Sequence, residues 1–482
     1  MTGRRHLLAG AGWGLAAEGL AAPSGLITVA FLTRMLGPEG YGQYALAVGV
    51  VVFLDGIWAA ASSRAVIRHV GQAKDPALVL PFILRVHVAV GLALGALVFL
   101  TSGVISGVLG EPSLQPYLRV FALDLPLAAI GEAHVNSLLG LGRYRFRALA
   151  RAVRWTVRPL AIIALVAAGY GIPGALVGGI VATSCEIAVA RVAVRPRLWG
   201  ASTLTLPTFA ATTVPLLAAT TITSLLRRVD LFFLTALGGT AVAAGHYAAA
   251  QNVALVPALV SLAVSPVLVA AVNRALRDGS ADKAQHIARD ALRLCVLLLP
   301  VFATLSGAAG EVAVLLYGEA FAPAGPIVAT LVPASVLLSL SAVQASLLVA
   351  LDRPRLTLAL TIPALAVALT GYVLLAPRFG AIGVAWGTFL GALCGVACGA
   401  ALSRRHALLR VPLASATRAV IVAAAVYVCA VAWPTPGSYV VLKLAVLAAA
   451  VPAALALLGE LDLGERASLA ALVRGRDRAM GV

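Results

Sequence analysis

Three charged residues stand together in a stretch that is otherwise apolar: Arg227, Arg228 and Asp230, in the run from 207 to 237. Leu237-Gly238 marks the end of that run, so Arg227, ten residues earlier, lies about 15 Å inside it. Snorkelling to water from that depth is out of reach. A charge persists there when it faces a partner or a polar cavity. Arg227 and Asp230, three apart, share a helix face and can pair, whereas Arg228 points elsewhere. Two readings stand. One is a buried structural pair, with the second arginine capping a carbonyl or pairing with Glu18. The other is a cationic spot in a lumen. Guanidinium groups offer bidentate hydrogen bonds at constant charge, which suits a diphosphate, and Asp230 would steady the arginine and moderate its field.

Other ionisable groups inside apolar runs are Glu18, Asp55, Arg85, Asp124, Glu132, His134, Arg158, Glu186 and His246. The pattern places Asp55 about two turns from the inner end of its span, near Arg64, and Arg85 and Arg158 within a turn or two of inner ends. Arg64, Arg85 and Arg158 are candidates to line the inner mouth of a cavity. Glu18 and Asp55 are candidate coupling groups or counter-ions: Glu18 either holds a proton or sodium ion or balances an arginine of the seventh span. Glu132 and Asn136, four apart, share a face beside His134, and one histidine makes no metal site. Five cysteines (Cys185, Cys295, Cys394, Cys398 and Cys429) all lie in apolar segments and read as small fillers. There is no Walker A run and no Ser-His-Asp set in a structured loop. The longest loops, Ser62 to Pro81 and Asn273 to Arg289, are too short to fold alone. No catalytic residue is assigned and the chain is read as no enzyme. Its energy must then come from an ion gradient, the substrate gradient or removal of product.

The elements that must position these charges are membrane helices. The chain is 61% hydrophobic and 11% charged, with mean hydropathy +0.99, against about half and a quarter for a soluble domain. Apolar spans are read at 12–34, 41–61, 82–107, 117–139, 153–169, 173–192, 207–237, 242–271, 290–309, 326–350, 357–376, 383–402, 415–433 and 438–458, about fourteen helices. The N-terminal run, Arg4-Arg5 followed by apolar residues to Ala22, is like a secretory leader, but Glu18 interrupts it, and it is read as a retained first helix. The net charge of +17 does not signal nucleic acid, because the arginines sit in short loops. The N-terminus, the even-numbered loops and the tail hold 28 Lys and Arg; the odd-numbered loops hold four (Arg34, Arg119, Arg378 and Lys443). The positive-inside rule therefore places both termini in the cytoplasm.

The chain also repeats itself. Phe31-Leu32-Thr33, Leu36-Gly37, Gly42 and Tyr44 return as Phe233-Leu234-Thr235, Leu237-Gly238, Gly245 and Tyr247. Ser137-Leu138-Leu139 with Arg143 and Arg145 returns as Ser346-Leu347-Leu348 with Arg353 and Arg355, and Gly171, Gly174 and Gly178 return as Gly380, Gly383 and Gly387. The offset stays between 201 and 210 residues. Two parallel repeats of six helices frame a transporter with its site between them. The expected organisation is an N-terminal lobe over 1–200, a C-terminal lobe over 201–410, and two extra helices with a tail over 411–482. The last two helices read as packing, assembly or a groove for a lipid tail.

The run Thr33 to Tyr44, TRMLGPEGYGQY, resembles the signature joining the first two helices of bacterial polysaccharide and oligosaccharide flippases of the multidrug, oligosaccharidyl-lipid and polysaccharide exporter superfamily. Val229-Asp230 followed by Leu237-Gly238, then Gly245-His246-Tyr247, agrees with it. So do Leu316-Tyr317-Gly318 with Phe321 and Ala324, Leu351-Asp352-Arg353-Pro354, and Gly380 to Gly387. The resemblance covers about the first 400 residues. It implies an all-α fold of the multidrug extruder type, two six-helix lobes forming a V. It also implies flipping of a polyprenyl-diphosphate-linked glycan across the bacterial cytoplasmic membrane by alternating access. The expected partners are that glycan and membrane lipids, with a glycan polymerase or glycosyltransferases as candidate protein partners. No cofactor is expected beyond a coupling H+ or Na+. The alternatives are a lipid II flippase, a drug or cation antiporter of the same fold, and a membrane scaffold or polymerase.

Overall fold

In the computed structural model, residue 13 and residues 17–353, 355–405 and 413–460 are described, and every regular element among them is helical. Eight of the described helices are long and apolar enough to cross a membrane. The chain forms two compact units, Met1–Asn252 and Val253–Val482.

The first unit opens with α1 (Ala21–Gln72), which fuses the first two expected spans and breaks at Gly37, ahead of Pro38. A 3₁₀ turn (Pro76–Leu78), capped by the Asp75 carboxylate on the Ala77 amide at 2.9 Å, leads into α2 (Leu80–Val108). The fourth span is two pieces, α3 (Leu114–Phe121) and α4 (Asp124–Gly140). Then come α5 (Tyr144–Leu165), a π-helical turn (Val166–Tyr170) and α6 (Gly171–Ala193). A linker over 194–205 joins α6 to α7 (Leu206–Ala236), and α8 (Ala241–Arg277) crosses from the first unit to the second. The second unit continues with α9 (Ala281–Leu297), α10 (Leu299–Gly307), α11 (Ala309–Tyr317), a 3₁₀ turn (Glu319–Ala324), α12 (Gly325–Ala350), α13 (Leu356–Arg405), α14 (Leu413–Ala432) and α15 (Tyr439–Leu457). The described residues are helical over the greater part of each span read from the sequence, and about fourteen spans is compatible with this order.

Among the boundaries that shift, two move candidate site residues. The second span ends not at 61 but at Gln72, so Asp55 lies midway between Pro38 and Gln72 rather than near an end. The fifth span begins not at 153 but at Tyr144, so Arg158 stands fourteen residues, about 21 Å, into its helix. Arginine-rich sequence concealed the start of the fifth span: Tyr144 to Arg154 has the composition of a loop and the structure of a helix.

The repeat is written into the backbone. Gly171 (φ 52°, ψ −136°) and its counterpart Gly380 (φ 57°, ψ −134°) turn the chain identically where one membrane helix hands over to the next. A side chain is rarely tolerated in that conformation. The bonds Arg143 N–Leu138 O (2.8 Å) and Gly142 N–Leu139 O (3.1 Å) close one helix; Arg353 N–Leu348 O (2.9 Å) and Asp352 N–Val349 O (3.1 Å) close its counterpart with the same motif. Gly42 and Gly245, equivalent in the repeat, pack reciprocally in the first unit. A Cβ on Gly42 would collide with the Ala241 carbonyl, and a Cβ on Gly245 with the Pro38 carbonyl. This close approach lets α1 and α8 meet backbone to backbone, the form of packing that small residues permit between membrane helices.

In the second unit, α14 lies on α10, where Gly307 leaves room for Ala430 and Tyr427. Ionic clasps fix both ends of the α14–α15 hairpin. Lys443 Nζ meets Glu311 Oε2 at 2.6 Å, while the Thr435 amide donates to Glu311 Oε1 at 2.7 Å. At the other end Glu460 takes hydrogen bonds from Arg293 Nε and Arg418 Nη1, both at 2.8 Å. Burial opposes the charge on Glu460, but bonds from Ser415, Arg293 and Arg418 prevail and hold its carboxyl below the ordinary glutamate value.

Gly42→Ala should lower stability by about 1–3 kcal/mol, because backbone cannot yield to the new methyl. Gly56→Ala, with nothing within 4 Å of the added carbon, should be neutral or slightly stabilising. Apparent Tm of the purified proteins separates the two, and equal shifts would contradict the reciprocal packing. The Glu460 clasp predicts a pH effect. A lowered folded value means that its stabilisation is fully present above the unfolded glutamate value, about 4.3, and is lost as pH falls through the lower folded value. The Tm difference between wild type and Glu460→Gln should therefore be widest at neutral pH and close below about pH 4.3.

Candidate functional site

The charges of the first unit converge on α5. Arg147, Arg151, Arg154 and Arg158 recur at steps of four, three and four, the spacing that stacks side chains on one helix face. From Arg147 to Arg158 the ladder rises about 16 Å. The lower rungs are occupied. Arg147 Nη2 lies 3.4 Å from Glu18 Oε1. Arg151 joins Glu132 of α4 at 2.6 Å, Glu186 of α6 at 3.2 Å and Glu18 at 3.9 Å. Arg154 Nη1 meets Glu186 Oε2 at 2.8 Å and packs over the Trp155 ring. Asn136 Nδ2 donates to Glu132 Oε2 at 3.1 Å, so the shared face expected for that pair is present. Glu186 is 1% exposed. A carboxylate so deep needs both of its arginines, and removing a partner from a buried pair costs about 3–5 kcal/mol. Below the ladder, Arg143 caps the Ala193 carbonyl and Arg145 lies over the Trp13 ring.

Arg158, the top rung, is different. It is half-buried and makes no hydrogen bond or ion pair among the described residues. The carboxylate acting on it from α4 is Asp124, 6% exposed, one of whose oxygens takes a hydrogen bond from Thr183 of α6 while Oδ1 has no partner. Asp55, on the middle of α1, likewise makes no hydrogen bond or ion pair among the described residues; Glu132, Asp124, Arg154 and Arg151 are the charges that act on it. A half-buried, unpaired guanidinium near the middle of a helix is a ready receptor for an anion.

The other expected site residues fall as follows. Asp230 is buried and hydrogen-bonded to α8: its Oδ2 accepts from Tyr247 Oη at 2.8 Å and from Gln251 Nε2 at 2.9 Å, and its Oδ1 from the Leu231 amide at 2.9 Å. The side chains of Arg227 and Arg228 lie outside the described residues. Glu18 pairs with α5 among the described residues. Its described partners are Arg147 and Arg151, which stand one and two turns into α5 on the face that meets it. Arg64 is exposed on α1. Arg85 donates to the Pro81 carbonyl of its own turn at 3.3 Å, as a residue at a helix start does. Sequence reasoning missed Arg151 and Arg154 by assigning them to a loop. The signal was present: four arginines at helical spacing, with Glu132 and Glu186 inside neighbouring spans.

Comparison with known proteins places this architecture. A family model described as polysaccharide biosynthesis protein matches residues 31–326. The succinoglycan biosynthesis transport protein ExoT of Rhizobium meliloti is 27% identical over 310 residues, 63% of this chain and 61% of its own length, so the chain spans under two thirds of that relative. The solved lipid II flippase MurJ, in an inward closed conformation, is similar with a TM-score of 0.76 at 13% identity, over 90% of this chain and 96% of that one. An inward-facing multidrug resistance MATE family transporter of the MOP superfamily has a TM-score of 0.68 at 15% identity, over 80% and 93%. The expected fold, an all-α polytopic protein of the multidrug extruder type, is the observed one. With the family model covering more than half of its length, the chain belongs to the polysaccharide biosynthesis protein family.

Proposed function

We propose that this protein flips a polyprenyl-diphosphate-linked glycan from the inner to the outer leaflet of the bacterial cytoplasmic membrane, by alternating access of two six-helix lobes. Both termini lie in the cytoplasm, as the loop charges require. The family, and relatives named for succinoglycan transport and lipid II flipping, support the class of cargo. The observation that carries the reading is Arg158. A diphosphate entering a low-dielectric cleft must exchange its water shell for fixed donors. The lower arginines of α5 already hold carboxylates; Arg158 alone among the four can take ligand oxygens without breaking a described pair. The ladder beneath it gives the diphosphate a rising series of guanidinium groups, each kept in place by its carboxylate. Asp55 is the better of the two candidate coupling groups, since Glu18 is committed to Arg147 and Arg151. Arg227 and Arg228 remain proposed second contacts on α7. A drug or cation antiporter is disfavoured, because a free guanidinium repels a cationic cargo.

The test is chromosomal replacement followed by mass spectrometry of polyprenyl-linked glycans, with lectin accessibility on each membrane face. Arg158→Ala should cut export at least about tenfold, with intact lipid-linked glycan accumulating on the inner face, the loss of one charged hydrogen-bond donor being of that size. Arg158→Lys should fall between, retaining the charge and losing the bidentate fork. Normal export by Arg158→Ala at wild-type abundance would remove this site from the mechanism. Glu186→Gln should act differently, lowering the amount of folded protein rather than the activity of what remains, and an abundance measurement on membranes distinguishes the two effects.

A further inference from the structure

A cavity of about 300 Å³ opens where α1 hands over to α2. Its walls come from three places: His69 and Gln72 at the end of α1, Lys74, Asp75 and Leu78 in the turn, and Thr203 of the α6–α7 linker. The linker is tied to this turn, with the Thr203 amide donating to the Leu78 carbonyl at 3.0 Å. The depth of the site is marked by the linker itself. Trp199 is 80% exposed, with Arg195 and Arg197 exposed beside it. A bare tryptophan flanked by arginines is the pattern of a segment lying at the level of lipid headgroups.

The polar groups of the cavity are unspent. His69 Nε2 is buried without a hydrogen-bond partner, although its ring packs against Phe209. Lys74 makes no hydrogen bond or ion pair among the described residues. Asp75 uses Oδ1 to cap the Ala77 amide, and Oδ2 makes no described bond. Gln72 accepts from Arg68 at 3.4 Å through Oε1, which leaves its amide hydrogens available. Donors therefore face the same space as one carboxylate, and Leu78, Val79 and Leu204 give it an apolar wall. A ligand that matches must carry an anion for Lys74, His69 and Gln72, a hydrogen-bonding cation for Asp75, and an apolar stem. We infer that this cavity binds the phosphoethanolamine headgroup of a membrane phospholipid, phosphate toward Lys74 and ammonium toward Asp75, and that the bound lipid fastens the linker to the α1–α2 turn. A phosphoglycerol headgroup lacks the cation and meets Asp75 as a like charge; a phosphocholine headgroup lacks the N–H donors. The inference needs only a membrane protein and does not depend on the cargo.

The experiment reconstitutes the full chain in nanodiscs holding equal amounts of phosphatidylethanolamine, phosphatidylglycerol and phosphatidylcholine. Lipids retained on release are counted by native mass spectrometry. Wild type should keep one phosphatidylethanolamine about tenfold over either competitor, the effect of one charge-assisted hydrogen bond. Lys74→Ala should abolish that retention, whereas Lys283→Ala, elsewhere on the chain, should leave it intact. Asp75→Asn should turn the preference toward phosphatidylglycerol, a reversal that misfolding does not produce. Amide exchange at Thr203 should be slower in phosphatidylethanolamine than in phosphatidylcholine. Equal retention of the three lipids, or a preference unmoved by both Lys74→Ala and Asp75→Asn, overturns the inference. Binding of soluble glycerophosphoethanolamine without lipid selectivity overturns the membrane source of the ligand.

Discussion

A guanidinium inside an apolar protein must be answered by a carboxylate, and much of the first unit follows from that constraint. Arg151 and Arg154 of α5 fix Glu132 of α4 and Glu186 of α6 at distances from 2.6 to 3.2 Å, so three helices are registered by charge as well as by shape. Leu and Ala faces slide past one another at little cost in a membrane, since lipid is as apolar as they are. A buried ion pair does not slide. Removing either partner leaves a naked charge, a penalty larger than most packing errors. The same constraint makes Arg158 informative. In a face where Arg147, Arg151 and Arg154 are all paired, Arg158 makes no hydrogen bond or ion pair among the described residues.

Hydropathy and loop charge made the fold legible, because the backbone of a membrane segment has only the helix to satisfy its polar groups. The repeat was legible for a related reason. Gly171 and Gly380 share a left-handed conformation, and positions that need it tolerate few residues. Asp352 shows the limit of that rule. It takes φ 58° where the first copy has Gly142 at φ 70°, and a short polar side chain is among the few that can. The site was legible only in part. Asp55 and Arg158 were singled out but misplaced, because helix ends were set where charges began. The described partners of Glu18, Arg147 and Arg151, lie on α5, and no feature of a linear sequence says which helix is adjacent. Tyr247 and Gln251, which hold Asp230, are four apart on α8, a spacing that identifies a face but not what it meets.

The terminal hairpin makes a related point. Nothing in the repeat requires α14 and α15, yet they are clasped to the second unit at both ends, by Glu311 with Lys443 and by Glu460 with Arg293 and Arg418. Lys443 is 1% exposed, deeper than a surface pair would place it. A hairpin fastened at its two ends, and seated on Gly307 between them, moves with its unit. The carboxylate at its end, Glu460, is committed to its clasp with Arg293 and Arg418.

The two halves of the chain share a scaffold and differ in where their charge sits. At the offset of 210 set by Arg143 and Arg353, the ladder positions 147, 151, 154 and 158 become Thr357, Thr361, Ala364 and Ala368. That face of α13 is a packing seam: Gly391 is seated against the Ala364 carbonyl and Ala368, so no room is left for a long side chain. In the first half the same face carries guanidinium groups, and carboxylates from α4 and α6 reach it. The α5 ladder is confined to the first half, and the equivalent face of α13 packs. The repeat is thus broken at four positions, while Gly171 and Gly380, which turn both halves, stay the same.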